Sequence, residues 1–457
     1  MKTRLARMVV AAGVLVLVAS ACGKNDNKAA TTTKATTGGT ATTGGGTAST
    51  GAAAGNTLKV DSSKCPADAT KALAAGEDIK IGITLPQSGQ LAAFGVIGQG
   101  MKMYFDKVNA EEGGVDGHKI QLIAKDDSYD PNKTPALVQE LLEKDKVLGT
   151  VFQVGTPNVG ATRKVLEESC TAQAFVGTGF PAWGDPANHP WTVGGILAYN
   201  TEAKIWADFI SKKKPGAKVA ELTFNNDFGK AYSKQIAAEA KDKGFSVVVT
   251  KLHEGTATSI DNEITAILAE NPDVVLGETT AAFCPKFMAG LAAGGYQGIT
   301  ILSSTCSSVA QFFRPVDPAG DKVYLVGQVK DVTDDTYAND DDIKAFKDTV
   351  AKYGAGLDAG NLSVGTGYIA GYLTVDVLKR AAKMEGGLTR VNFMNAVWAT
   401  DLKVPLSLGG KLHLDGKTDA YGSEYAVMQQ YDAAKGSLVK SGDTFDLEGK
   451  TGVYQPS

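Results

Sequence analysis

From residue 77 onward, short apolar runs alternate with longer stretches whose apolar positions recur at helical spacing. Residues 79–85, Ile-Lys-Ile-Gly-Ile-Thr-Leu, read as a strand broken by Pro86-Gln87-Ser88-Gly89, and a helix is expected over 94–109. The turn Gly113-Gly114-Val115-Asp116-Gly117 leads into a strand over 119–125. Asp130-Pro131 matches an N-cap followed by proline at the first helical position, which predicts a helix running to Lys144. A strand over 147–152, a helix over 159–168 and a buried strand over 174–176 follow. Beyond Tyr199 the pattern predicts helices over 201–213, 230–243 and 259–270, interleaved with strands over 219–224, 246–252 and 273–276. Such alternation implies parallel sheets covered by helices on both faces. The stretch from Cys65 to Ser457 is longer than one core usually holds, so two doubly wound α/β lobes are expected. Ligands in such sheets bind beyond the carboxyl ends of the strands. The loops of interest are therefore 86–94, 153–158, 177–183, 225–229, 277–280 and 303–307.

The first residues follow a different pattern. Lys2, Arg4 and Arg7 precede an apolar run over 8–19, shorter than the ~20 residues needed to cross a bilayer, which ends in Ala19-Ser20-Ala21 before Cys22. This layout resembles a bacterial lipobox, with Ala19 in place of the usual branched aliphatic residue. The resemblance implies a signal peptide over 1–21, acylation of Cys22 and attachment to the outer face of a membrane through lipid. Residues 22–62 consist mostly of Thr, Gly, Ala, Ser, Asn and Lys, a composition that cannot offset its ordering entropy and reads as a flexible linker. Its r.m.s. reach is roughly 30–40 Å.

The formal charge is -4 with both signs interspersed, so the chain lacks the basic footprint of a nucleic-acid partner. With Cys22 assigned to lipid, Cys65, Cys170, Cys284 and Cys306 remain, an even set that suggests disulfides in an exported protein. Three connectivities are open. Cys65–Cys170 and Cys284–Cys306 are favoured, because the first would pin the linker's exit to the first lobe and the second would join neighbouring strand-end loops.

Catalytic patterns are imitated rather than met. Gly177-Thr178-Gly179 with Ala182 and Gly365-Thr366-Gly367 with Ala370 fit a loose dinucleotide pattern, but the first lacks a following helix and the second a preceding strand. The run Gly410…Gly416-Lys417-Thr418 has one residue too many for a phosphate-binding loop. His118, His189, His253 and His413 lie far apart and read as surface or turn histidines, and no GxSxG elbow occurs. Asp126-Asp127 reads as capping and solvated charge. No catalytic residue, cofactor or metal ligand is assigned, and the chain is not expected to be an enzyme. The strand-end loops carry hydroxyls and aromatics instead: Ser88, Phe94, Thr156, Thr178, Phe180, Trp183, Phe228, Thr279, Thr280 and Thr305. Hydroxyls and loop amides hold carboxylates or amides, and aromatics wall a pocket.

Ile81-Gly82-Ile83 through Ser88-Gly89 and Phe94-Gly95, Gly113 to Gly117, Asp126-Asp127…Asp130-Pro131 and Asn225-Asn226-Asp227-Phe228-Gly229, in that order, resemble the type I periplasmic binding proteins of the leucine/isoleucine/valine-binding group. The resemblance implies two lobes, 77–197 plus 327–411 and 198–326 plus 412–457, joined by three crossovers near 196–200, 323–330 and 412–421. It implies a monomer that closes on a small molecule and delivers it to the permease and ATPase of an ABC-type uptake system. A ligand-sensing receptor of the same fold is the alternative. By the same resemblance, Gly155, Thr156, Thr178 and Gly179 would hold a ligand carboxylate, and Phe94 and Phe228 would wall its side chain. Thr279 or Thr280 falls where the family carries another aromatic. Thr305 falls where it carries the glutamate that pairs with an amino acid's ammonium. Either Glu278 replaces that acid, or the ligand is not an α-amino acid but an aromatic or aliphatic acid or an amide.

Overall fold

The computed structural model describes residues 57–455. The signal peptide expected over 1–21, Cys22 and most of the linker expected over 22–62 lie outside the described residues. Leu58 and Val60, at the end of that linker stretch, are held on the body: Leu58 N–H donates to the Asp415 carbonyl and Val60 N–H to Asn395 Oδ1.

The first sheet is built from strands β1 (Ile79–Leu85), β2 (Ile120–Asp126), β3 (Gly149–Val151), β4 (Ala172–Val176) and β5 (Thr192–Gly194). They are all parallel, in the order β2-β1-β3-β4-β5. Helices α1 (Gly95–Glu111), α2 (Thr134–Glu140) and α3 (Thr156–Glu168) connect them. The second sheet begins after α4 (Tyr199–Lys213), with β6 (Lys218–Phe224), α5 (Asp227–Lys243), β7 (Ser246–His253), α6 (Asp261–Leu268), β8 (Val274–Glu278), α7 (Phe283–Ala293), β9 (Ile299–Leu302) and β10 (Tyr324–Gly327). Helices α8 (Asp341–Tyr353), α9 (Leu362–Ala382) and α10 (Arg390–Trp398) then return to the first sheet's core, where Phe346, Leu373, Phe393 and Trp398 are buried. A short antiparallel pair, β11 (Asp401–Leu402) with β12 (Leu412–His413), precedes the hairpin β13 (Tyr425–Asp432) and β14 (Ser437–Asp446).

The molecule is thus the expected two-lobed α/β fold, with one difference in the second sheet. Its order is β14-β13-β10-β9-β8-β6-β7, and the terminal hairpin joins antiparallel to β10. The hairpin covers what would otherwise be an open sheet edge.

The helix expected from Asp130-Pro131 begins instead at Thr134, with Pro135 in its first turn. Asp130 Oδ1 accepts the Asn132 N–H, so the aspartate closes a local turn ahead of the helix rather than capping it. Both favoured disulfides are present, Cys65 joined to Cys170 and Cys284 to Cys306.

The glycines of Gly365-Thr366-Gly367 lie inside α9, where they serve packing rather than a nucleotide. A Cβ on Gly367 would sit 2.1 Å from the Ile97 carbonyl of α1, and one on Gly100 would sit 2.4 Å from the Val364 carbonyl of α9. Two helices approach this closely only where side chains are missing.

Candidate functional site

A cavity of about 190 Å³ lies between the lobes, at the carboxyl ends of the strands of both sheets. Of the positions singled out from the sequence, Phe94, Gly155, Thr156, Thr178, Phe228 and Thr305 line it. From the first lobe, α3 aims its N-terminus at this space. Gly155 caps the helix with φ +106°, and a Cβ there would meet both Asn158 Oδ1 and the Tyr129 ring at 2.7 Å. Glycine is required by conformation and by space.

The next residue, Thr156, lies with its Oγ1 2.5 Å from Oγ1 of Thr178, which follows β4. The two hydroxyls are buried together at a positive helix end. Tyr129 and Tyr199 stand beside them in the cavity wall. Burial pushes the Tyr199 phenol up to about 12 and raises Tyr129 as well, so both tyrosines are protonated at physiological pH.

Two positions expected to touch the ligand are not on the wall, and neither are Ser88, Phe180 and Trp183 of the wider set of strand-end residues. Gly179 is packed beneath the chain that leaves the first sheet, where a Cβ would sit 2.1 Å from the Leu197 carbonyl. Thr279 is fully buried and its Oγ1 pairs with His253 Nε2 at 2.8 Å, leaving Thr280 to face the cavity.

The aromatic wall is also larger than the sequence suggested. Tyr129, Phe152, Tyr199 and Phe312 join Phe94 and Phe228, with the Phe94 and Phe312 rings 6.4 Å apart edge to face. Tyr129 stands in a stretch legible only as turn and cap chemistry, and Phe312 in a segment with no periodic pattern.

The carboxylates near the cavity decide what it can hold. Thr305 presents a hydroxyl, hydrogen-bonded to Ser303 Oγ at 2.8 Å, where an acid was at issue. Glu278 does not replace that acid. It is wholly buried on β8, accepts from Thr223 Oγ1 at 2.7 Å and lies against Glu221; burial and the neighbouring carboxyl push its pKa well up. A carboxyl on β8 beside another on β6 is held neutral inside the sheet and does not reach the ligand space.

A different acid, unmarked by any motif, stands behind the wall and is bonded to it. Glu202 of α4 is fully buried and accepts from Ser304 N–H at 2.8 Å, Ser304 Oγ at 2.7 Å and the Tyr232 hydroxyl at 2.9 Å. Burial raises its pKa to about 7, against these hydrogen bonds. Ser304 lines the cavity and screens it.

At the far end the cavity runs between the crossing strands toward Ile369, Leu373, Val404 and Leu412. Two charged residues are in the lining, and both are engaged. Lys411 pairs with Asp401 at 2.7 Å, and Glu424 accepts the backbone N–H groups of Gly449 and Thr451. Among the described residues, metal-ligating side chains gather at one place, His413, Asp419 and Glu448, next to the lining rather than in it.

A profile of the periplasmic binding protein family matches residues 78–436. The Leu/Ile/Val-binding protein homolog 7 of Brucella suis is 23% identical over 245 residues, covering 50% of this chain and 59% of the relative. The chain thus spans less than two thirds of that curated relative. Among solved structures, the fatty acid ABC transporter substrate-binding protein from Thermomonospora curvata superposes with a TM-score of 0.70 at 21% identity, over 82% of this chain and 93% of that one. A branched chain amino acid ABC transporter protein from Thermus thermophilus with bound valine gives 0.73 at 15% identity, over 81% and 97%. These likenesses establish the fold, and the profile match, which takes in most of the chain, establishes the family. The chain belongs to the periplasmic binding protein family.

Proposed function

We propose that this protein is the solute-binding component of an ABC-type uptake system and that its ligand is a small carboxylate with an apolar aliphatic or aromatic tail, not an α-amino acid. The observation that carries the ligand class is the inventory of charge around the cavity. Two buried hydroxyls and the N-terminus of α3 suit an anion, and Glu424, the carboxylate in the lining, already accepts the N–H groups of Gly449 and Thr451. An ammonium buried without its counter-charge would be costly, whereas an aliphatic or aromatic tail would find Phe94, Phe152, Phe228 and Phe312. The two structural neighbours span both chemistries, a fatty acid and valine, so the fold allows either and the side chains must choose.

In this proposal the crossovers act as hinges and the ligand favours the closed state through its contacts with both lobes. A permease and its ATPase read the closed form, and a lipid on Cys22 keeps the monomer at the outer face of the membrane. The test is a thermal-shift screen of the protein against aliphatic and aromatic acids, their amides and the corresponding amino acids. A ligand far above its Kd raises the melting temperature, because binding to the folded state stabilises by RT ln(1 + [L]/Kd). Shifts with acids and none with amino acids are expected; shifts confined to amino acids would overturn the ligand class.

A further inference from the structure

His413, Asp419 and Glu448 are far apart in sequence, and each alone has an ordinary explanation as a turn or surface residue. The fold brings one donor atom from each to within 4.8 Å of the others. Their surroundings leave these groups unsatisfied. Asp419 is only 4% exposed, and its Oδ2 is buried without a hydrogen-bond partner. Glu448 Oε1 and His413 Nδ1 are likewise buried and unpartnered. Asp401 stands 3.6 Å from His413 Nδ1, beyond hydrogen-bond distance, and is already matched by Lys411. Three orphaned polar atoms within one cluster of side chains is a costly arrangement that native structures rarely keep without an occupant.

The electrostatics point the same way. The cluster is acidic: Glu424 acts on Asp419, and Asp419 and Glu424 both act on Glu448. The nearby cation, Lys411, is shared with Asp401, so the cluster keeps an excess of negative charge that a divalent ion would neutralise.

We propose that His413, Asp419 and Glu448 form a binding site for a divalent cation of the zinc class, tying the C-terminal segment to the 412–421 connection. One imidazole and two carboxylates suit zinc or a late first-row ion, whereas calcium and magnesium prefer oxygen alone. Donors bonded to one zinc at ~2.0–2.1 Å in tetrahedral array stand roughly 3.3 Å apart, so the present spacing needs closing by about an ångström or more. With three protein ligands, the fourth position falls to water. Since Lys411, Leu412 and Glu424 line the ligand cavity, the ion would brace the wall at its far end.

The test is a titration of the full chain, stripped by chelator, with Zn²⁺ in competition with a fluorescent chelator, and with Co²⁺ followed by its visible absorption. One equivalent of each is expected, not displaced by excess Ca²⁺ or Mg²⁺. Asp419→Asn and Glu448→Gln should each weaken binding about tenfold or more while the circular dichroism of the metal-free protein is unchanged. A wild-type chain that takes up no stoichiometric Zn²⁺ overturns the site, whatever the variants do. So does uptake that Glu448→Gln leaves unchanged, which would place the ion elsewhere.

Discussion

Two threonine hydroxyls meet 2.5 Å apart at the start of α3, and in the proposed function they hold the ligand's carboxylate. Hydrogen bonds to a charged group are worth about 1.5–3 kcal/mol each, so Thr156→Val or Thr178→Val should weaken binding of a carboxylate by roughly tenfold to a hundredfold. Calorimetric titration would measure this, and unchanged affinity would remove the hydroxyls from the site. Glu202 makes a separate prediction. Its folded pKa of about 7 lies above the ordinary 4.5, so the native state holds the proton more tightly than the unfolded chain. The stability this contributes is complete below pH ~4.5 and is lost as pH rises through ~7. Glu202→Gln should flatten that part of the melting-temperature profile between pH 5 and 8. An unchanged slope would mean that other acids raised into this range, among them Asp127 and Asp419 at about 6, Glu448 at about 7 and the Glu221–Glu278 pair, account for it. At this scale the sequence was a partial guide. Thr156 and Thr178 stood out because hydroxyls at strand ends are legible, and Thr305 because it replaced an expected acid. Glu278, one of two alternatives open in the sequence, is not in the lining, and strand alternation alone does not tell which face of β8 meets the cavity. Glu202 was hidden in an amphipathic helix where a glutamate ordinarily means solvent.

Helices and strands repeat this division between local and distant causes. Over the first two hundred residues of the body, most predicted elements fall within a few residues of those observed, because apolar runs and helical periodicity are local signals. The hairpin of β13 and β14 was not anticipated. Its strands carry Gln429 and Gln430 among apolar residues, and the turn between them has no Asn-Gly or Asp-Gly signature. The close packing of α1 on α9 was likewise concealed, its glycines imitating a nucleotide motif. Gly367→Ala tests that packing by its sign. In an open helix alanine would stabilise by about 1 kcal/mol, but here the added carbon meets the Ile97 carbonyl, and a loss of about 1–3 kcal/mol is expected by denaturant unfolding. A gain would show that the helices are less tightly apposed. The disulfide between Cys65 and Cys170 closes a long loop, with a sequence separation of 105, so Cys65→Ser with Cys170→Ser should cost about 2–5 kcal/mol in the same assay.

For the whole molecule, the two sheets present their carboxyl ends to one cavity, and the connections beside it are the places where the lobes can move. Closure on ligand predicts a smaller radius of gyration in solution scattering when a carboxylate is added to a sample that begins open. The central claim, though, concerns what the cavity accepts. Its most direct test is a pair of calorimetric titrations, leucine against isocaproate, which differ only in the ammonium group. The account predicts heat and saturation with isocaproate, or with a longer or aromatic acid in the same series, and none with leucine or another amino acid. Saturable binding of leucine with none of isocaproate would contradict it, and would mean that Glu202 or another acid turns into the cleft to meet the ammonium.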